Sequence, residues 1–287
     1  MRAAERGFNC LTLQLFNPFN VLTNMHRFYL PPHECSATTL TLTGREAHHG
    51  LHVLRLRKGE RVVVLDGQGG EYECEVKELN RSSISLSVQR KDQIAPLPYQ
   101  IALLQAIPKG KLIEDIIQKA TELGAHRVVP LITERVVKQL DKSNSAAKHE
   151  HWRLMAIEAS KQCGSAWLPQ IDPPIPLKTY LARAEQFDLA LIGSLREDSR
   201  HPREWFDAFR AKHGHQPQSI AVFVGPEGDF TDAEIAAAKA AGARPITLGR
   251  LVLRCETAAI YCLSVVNHEL QTRPVGERSL RLVIGDC

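Results

Sequence analysis

Two segments of this 287-residue sequence combine residue types that can hold a ligand and act on it. The first is Val224-Gly225-Pro226-Glu227-Gly228-Asp229, which follows the apolar run Ile220-Ala221-Val222-Phe223 and precedes Thr231 and Glu234. Two glycines around a proline make a stiff turn whose backbone N–H and C=O groups can approach a ligand closely. The second runs from Leu248-Gly249-Arg250 through Leu253-Arg254-Cys255-Glu256-Thr257-Ala258. It follows a short apolar run and ends where a helix begins, so free N–H groups would face polar or anionic atoms. Either segment alone reads first as an ordinary glycine-containing βα loop, because short glycine motifs arise often by chance.

Other chemistries lack their residues. No GxGxxG follows a strand, Pro108-Lys109-Gly110-Lys111 lacks the leading glycine and the Ser/Thr of a phosphate loop, and no GxSxG elbow occurs. His48, His49 and His52 are close, but Glu46 is not at a ligating distance along the chain, so no metal site is expected. The seven cysteines form no CxxC pair, which argues against a disulfide framework or zinc ribbon and fits reduced thiols in the cytoplasm.

The elements that must position the two loops are legible. From Leu40 to Val88 the pattern is β: Arg61-Val62-Val63-Val64-Leu65, a turn at 66–70, then Tyr72, Cys74 and Val76 alternating with charges, then Ile84, Leu86 and Val88 alternating with polar residues. Short strands with close turns suggest a small barrel. Pro96 and Pro98 mark a boundary. Beyond it strands are expected at 101–104, 128–132, 189–192, 220–224 and 246–248. Helices are expected around 112–123, 152–159, 205–209, from a Thr231/Glu234 capping box to Gly242, and over 257–270. This alternation implies an α/β domain with a mostly parallel sheet. A hydrophobic content of 44% with 24% charged residues excludes a disordered or rod-like chain. The formal net charge of +4 permits a nucleic-acid partner without requiring one. No run of 18 apolar residues predicts a membrane span. Residues 1–24 read as neither signal peptide nor anchor but as a disordered leader, an upstream start ahead of Met25, or an ordinary ordered arm.

With these loops in view, the chain resembles the bacterial 16S ribosomal RNA uracil-N3 methyltransferases of the knotted SPOUT superfamily. The resemblance covers Met25 to about Arg273. It is carried by Met25-His26-Arg27-Phe28-Tyr29-Leu30, by 49–67, by 109–124, by Thr133-Glu134-Arg135, by 158–164, and most strongly by Gly225-Pro226-Glu227-Gly228 and the 248–258 segment. Three positions depart from it. Asp229 replaces a second glycine, Cys255 replaces a threonine, and Ser165-Ala166-Trp167 stands where an arginine is common.

The resemblance implies a PUA-like RNA-binding β-barrel over 25–95, a knotted α/β SPOUT methyltransferase domain over 98–273 and a tail over 274–287. It implies a homodimer that binds S-adenosylmethionine and methylates uridine N3 in 16S rRNA or the small ribosomal subunit, in the cytoplasm and without metal. The implied cofactor residues are Gly225, Pro226, Glu227, Gly228, Leu248, Gly249, Leu253, Arg254, Thr257 and Ala258. Arg254 is the candidate for stabilising charge on the uracil oxygens, or else for an ion pair with Glu227 or Glu256, and Glu227 is the candidate proton acceptor. Arg55, Arg57, Lys58, Lys109, Lys111, Arg135 and Lys138 are the candidate phosphate contacts. The rival readings are a SPOUT enzyme acting on another RNA or base, and a non-catalytic RNA-binding assembly factor.

Overall fold

The computed structural model describes residues 25–135 and 145–271. The expected leader 1–24, the expected tail 274–287 and Lys138 lie outside the described residues.

The first sheet contains β1 (His26–Tyr29), β2 (Thr39–Leu42), β3 (Arg61–Leu65), β4 (Gly70–Leu79) and β5 (Ile84–Gln93), in spatial order β1-β3-β4-β5-β2. A short helix α1 (Gly44–His48) continues into one wide turn over His49–Val53 between β2 and β3. Alternation places Phe28, Leu40, Leu42, Val62, Val64, Tyr72, Cys74, Val76, Ile84 and Leu86 in one interior. The polar partners of that period-2 pattern stay outside.

The second sheet contains β6 (Gln100–Ala106), β7 (Arg127–Ile132), β8 (Gln170–Ile171), β9 (Ile175–Pro176), β10 (Leu189–Gly193), β11 (Ser219–Val224) and β12 (Arg244–Ile246). The order is β12-β10-β11-β6-β7-β8, with β9 also on β7, and every pairing is parallel. The central strands are apolar on both faces, so both faces must be covered. On one face lie α2 (Leu112–Glu122), α3 (Ser145–Cys163), α5 (Pro202–His213) and α7 (Cys255–Gln271), packed through Ile116, Trp152, Phe206 and Leu263. On the other lie α4 (Leu177–Leu181) and α6 (Asp232–Ala240), packed through Tyr180, Phe230 and Ile235. Two sequence expectations shift here. The last strand is 244–246, not 246–248: Gly249 at φ +106° turns the chain out, and Thr247 Oγ1 closes that turn on Gly249 N at 3.3 Å. The last helix starts at Cys255, two residues earlier than Thr257, because the Arg254 carbonyl already accepts the Ala258 N–H at 2.8 Å.

The two sheets are joined by the stretch that departs from the resemblance. Gly69 N–H donates to the Ala166 carbonyl at 2.9 Å, Leu168 N–H to that of Gly67 at 3.0 Å, and the Trp167 indole to that of Ile94 at 3.0 Å. Beside them Lys161, only 8% exposed at its side chain, reaches Glu46 and Glu158 at 3.0 Å each.

Candidate active site

Parallel α/β sheets leave a crevice at the carboxyl ends of their strands, where connections diverge. A cavity of about 620 Å³ occupies that position here, at the ends of β10, β11 and β12. This lies within the ordinary range for small-molecule sites, roughly 300–1,000 Å³. Three loops supply most of its wall: Gly193-Ser194-Leu195, Val224 to Asp229, and Leu248 to Ala258. A larger hollow of about 990 Å³ is lined by α4, α6, Thr133 and Glu134, but no glycine turn enters it and the sequence-predicted loops lie elsewhere. The smaller cavity is therefore the candidate site.

Each loop has a local reason for its shape. Pro226 is buried, and Gly228 sits at φ +91°, a conformation that disfavours any Cβ. A Cβ on Gly225 would lie 2.8 Å from Asp229 Oδ1 and 3.2 Å from the backbone of Asp229 and Phe230. The turn is thus wound tightly on itself at Gly225. Beyond it Thr231 and Glu234 cap α6 reciprocally, which fixes the loop's exit. Two side contacts hold the loop from outside. Both oxygens of Glu227 accept the Lys109 N–H, at 3.1 and 3.2 Å, and Arg135 Nη1 donates to the Asp229 carbonyl at 3.1 Å.

Of the predicted cofactor residues, Gly225, Pro226, Glu227, Gly228, Leu248, Gly249, Leu253, Arg254 and Ala258 line the cavity. Thr257 is exposed and is not among the lining residues. Arg254 is exposed and forms no ion pair with Glu227, Glu256 or any other described residue. Its guanidinium stands at the start of α7, where an unneutralised cation can meet a ligand.

Sequence reasoning missed Leu112 and the Gly193-Ser194-Leu195 loop, while Cys255 and Glu256 lay inside the 248–258 segment without a cofactor role. The run at 189–192 followed by Gly193 carried the signal for a third strand end. Burial pushes the Cys255 thiol up to about 12, and the neighbouring Glu256 carboxylate adds to this. That thiol is a small apolar wall element, not a nucleophile. Among the predicted phosphate contacts, Lys109 and Arg135 are bonded to the 225–229 loop, and exposed Lys111 precedes α2. Arg55, Arg57 and Lys58 are exposed together in the turn before β3, with Arg55 at φ +54°. His48 and His52 rings lie 4.8 Å apart, and among the described residues no group of three His, Cys, Asp or Glu is placed to hold a metal.

The comparisons with known proteins bear on both sheets. Residues 95–267 match the RNA methyltransferase domain, and residues 42–89 match the RNA methyltransferase PUA domain. The ribosomal RNA small subunit methyltransferase E of Synechocystis is 34% identical over 250 residues, covering 86% of this chain and 78% of the relative. The protein of that name from Bacillus subtilis is 31% identical over 238 residues, covering 82% and 92%. Among solved structures, a putative methyltransferase from Legionella pneumophila in complex with SAM superposes with a TM-score of 0.77 at 32% identity, over 85% of this chain and 97% of that one. A ribosomal RNA small subunit methyltransferase E from Neisseria gonorrhoeae, bound to S-adenosyl methionine, superposes with 0.73 at 28% identity, over 85% and 97%. The fold is thus a PUA-like domain followed by a SPOUT-type α/β methyltransferase domain, and the chain belongs to the ribosomal RNA small subunit methyltransferase E family.

Proposed function

We propose that this protein transfers the methyl group of S-adenosylmethionine to N3 of a uridine in 16S ribosomal RNA, within the cytoplasm. The carrying observation is the cavity at three parallel strand ends, walled by two glycine turns in a chain of this family. The residues fit the donor. The cavity has the size of a nucleoside-sized ligand, apolar walls from Leu112, Leu195, Leu248 and Leu253, and close backbone approach at the Gly225 turn. Its charged lining is three carboxylates against one guanidinium, which suits a ligand of net positive charge.

When bound, the donor supplies an electrophilic methyl group on sulfur. The chain's part is to seat uracil in line with it and to handle charge. Uracil N3 loses its proton on methylation, and negative charge spreads to the flanking carbonyl oxygens. Arg254, unpaired at the cavity rim, offers a planar donor fork to those oxygens. Glu227 accepts the proton, and doing so weakens its hold on the Lys109 N–H, so proton transfer and the 109–111 turn are coupled. Lys109, Lys111 and Arg135 position the RNA backbone near the cavity, Lys138 adds a further phosphate contact, and Arg55, Arg57 and Lys58 hold the RNA backbone on the 25–95 domain.

The protein acts as a homodimer. Leu251 and Val252 are 77% and 79% exposed at the cavity rim, and Ile260 and Tyr261 in the first turns of α7 are exposed as well. Large apolar side chains grouped beside a site mark an association surface. Knotting of the 225–228 and 248–258 loops completes the reading of 98–273 as a SPOUT domain.

Mass spectrometry of 16S rRNA nucleosides, with and without the gene, tests the assignment. N3-methyluridine should vanish on deletion and return on complementation. Its persistence, or loss of a different methylated nucleoside, would overturn the substrate assignment.

A further inference from the structure

The three carboxylates of the cavity are not equivalent. Both oxygens of Glu227 are occupied by Lys109 N–H, and Glu256, on the other loop, accepts only the Cys255 thiol, through one oxygen at 3.4 Å. Asp229 is bonded through one oxygen alone: Oδ1 accepts the Phe230 N–H at 2.7 Å, and Oδ2 has no hydrogen-bond partner among the described residues. The two cations that favour its ionisation are engaged elsewhere. Arg135 donates to the Asp229 backbone carbonyl, not to the carboxylate, and Arg196 pairs with Asp232.

The position also carries strain. Asp229 stands at φ +64°, in the left-handed region, where the resembled family commonly has glycine. Left-handed backbone is unfavourable for a residue with a Cβ, though Asp tolerates it better than most. The carboxylate is folded back over Gly225, where only the missing Cβ leaves room for it. Desolvation opposes its ionisation, as does Glu234, while Arg196 and Arg135 favour it. A half-buried carboxylate that lines a cavity without an ion-pair partner is costly without a ligand, and a cationic ligand offsets that cost, though not the backbone strain.

The donor and its product differ in that charge. Methyl transfer breaks the carbon–sulfur bond and leaves its electron pair on sulfur, so the sulfonium becomes a neutral thioether. The new bond forms to uracil N3, whose proton departs. The ligand left in the cavity, S-adenosylhomocysteine, has one positive charge fewer.

We propose that Asp229 reads this difference: it holds the sulfonium donor in preference to the thioether product, so that the reaction itself loosens the spent ligand. This rests on the cofactor reading above.

The test is calorimetric titration of S-adenosylmethionine and S-adenosylhomocysteine into the full chain, into Asp229→Asn and into Asp229→Gly. Asparagine keeps the shape and tolerates the left-handed backbone, and glycine removes the strain, so both variants should fold, as thermal melts will show. The ratio of product Kd to donor Kd should fall about tenfold in both variants, through weaker donor binding, as expected for a partly screened charge contact. A ratio unchanged within about twofold would overturn the proposal, as would parallel weakening of both ligands, since a shape defect does not distinguish charge. Failure of the unmodified protein to bind either ligand would instead sink the cofactor reading beneath it.

Discussion

Gly225 and Arg254 separate two kinds of contribution within one cavity. Gly225 acts by what it lacks. Gly225→Ala puts a Cβ within 2.8 Å of the Asp229 carboxylate and 3.2 Å of backbone that cannot move freely. Donor affinity measured by calorimetry should drop at least about tenfold, with a modest fall in Tm, as the turn opens. Gly249→Ala meets nothing within 4 Å but must adopt φ +106°, so its cost should appear in stability, at roughly 1–2 kcal/mol in urea unfolding. Arg254 acts by what it presents. Arg254→Ala should lower the single-turnover rate about 10²–10³-fold on donor-saturated enzyme, and Arg254→Lys should rescue poorly, because a point charge cannot replace a planar fork. A near-normal chemical step would remove Arg254 from the reaction. Asp229 adds a pH signature. Burial raises its carboxyl above the ordinary value of 3.8, so the folded state binds that proton more tightly than the unfolded state. The stabilisation is present below the unfolded value and is lost as pH rises through the folded value. Asp229→Asn should therefore be more stable than the parent at neutral pH, the gain vanishing toward about pH 4. Equal unfolding curves at pH 7 and pH 4 would refute this.

At the scale of elements, local chemistry predicted most of what forms. The capping box at Thr231 and Glu234 and the stop at Gly124 are side-chain and backbone events within one turn, readable without tertiary context. The wide turn at 49–53 and the early end of β12 were not readable. The first depends on Gly50 lying under Ile84, where an added Cβ would come within 2.6 Å, and the second on β12 lying between β10 and a single bridge from Arg200 to Ile246. The join between the two sheets was also hidden, because Glu46 and Lys161 are 115 residues apart in sequence. Removing the Lys161 ammonium leaves Glu46, 12% exposed, without its cation. Lys161→Ala should cost about 2–3 kcal/mol by urea denaturation. A loss no larger than that of an exposed lysine would show that the triad contributes little.

For the whole molecule, the exposed apolar rim predicts association. Sedimentation velocity should give a dimer for the full chain, and Ile260→Glu with Tyr261→Glu should give a folded monomer with reduced donor affinity. A monomeric parent would remove the dimer from the functional reading. The α/β alternation and the two glycine loops were legible along the chain, because periodicity, caps and turns are set by neighbours, whereas β8, β9 and the short α4 between α3 and β10 were not, being too short to show a period. The sequence also carried the family resemblance, since those loops recur in order. Only the tertiary structure decided which carboxylate is free. Glu227 and Asp229 are two residues apart and chemically alike, yet Lys109, 118 residues upstream, engages the first, while Arg135 bypasses the carboxylate of the second. Which partners reach a charge is set by packing between distant segments, and no local pattern encodes it.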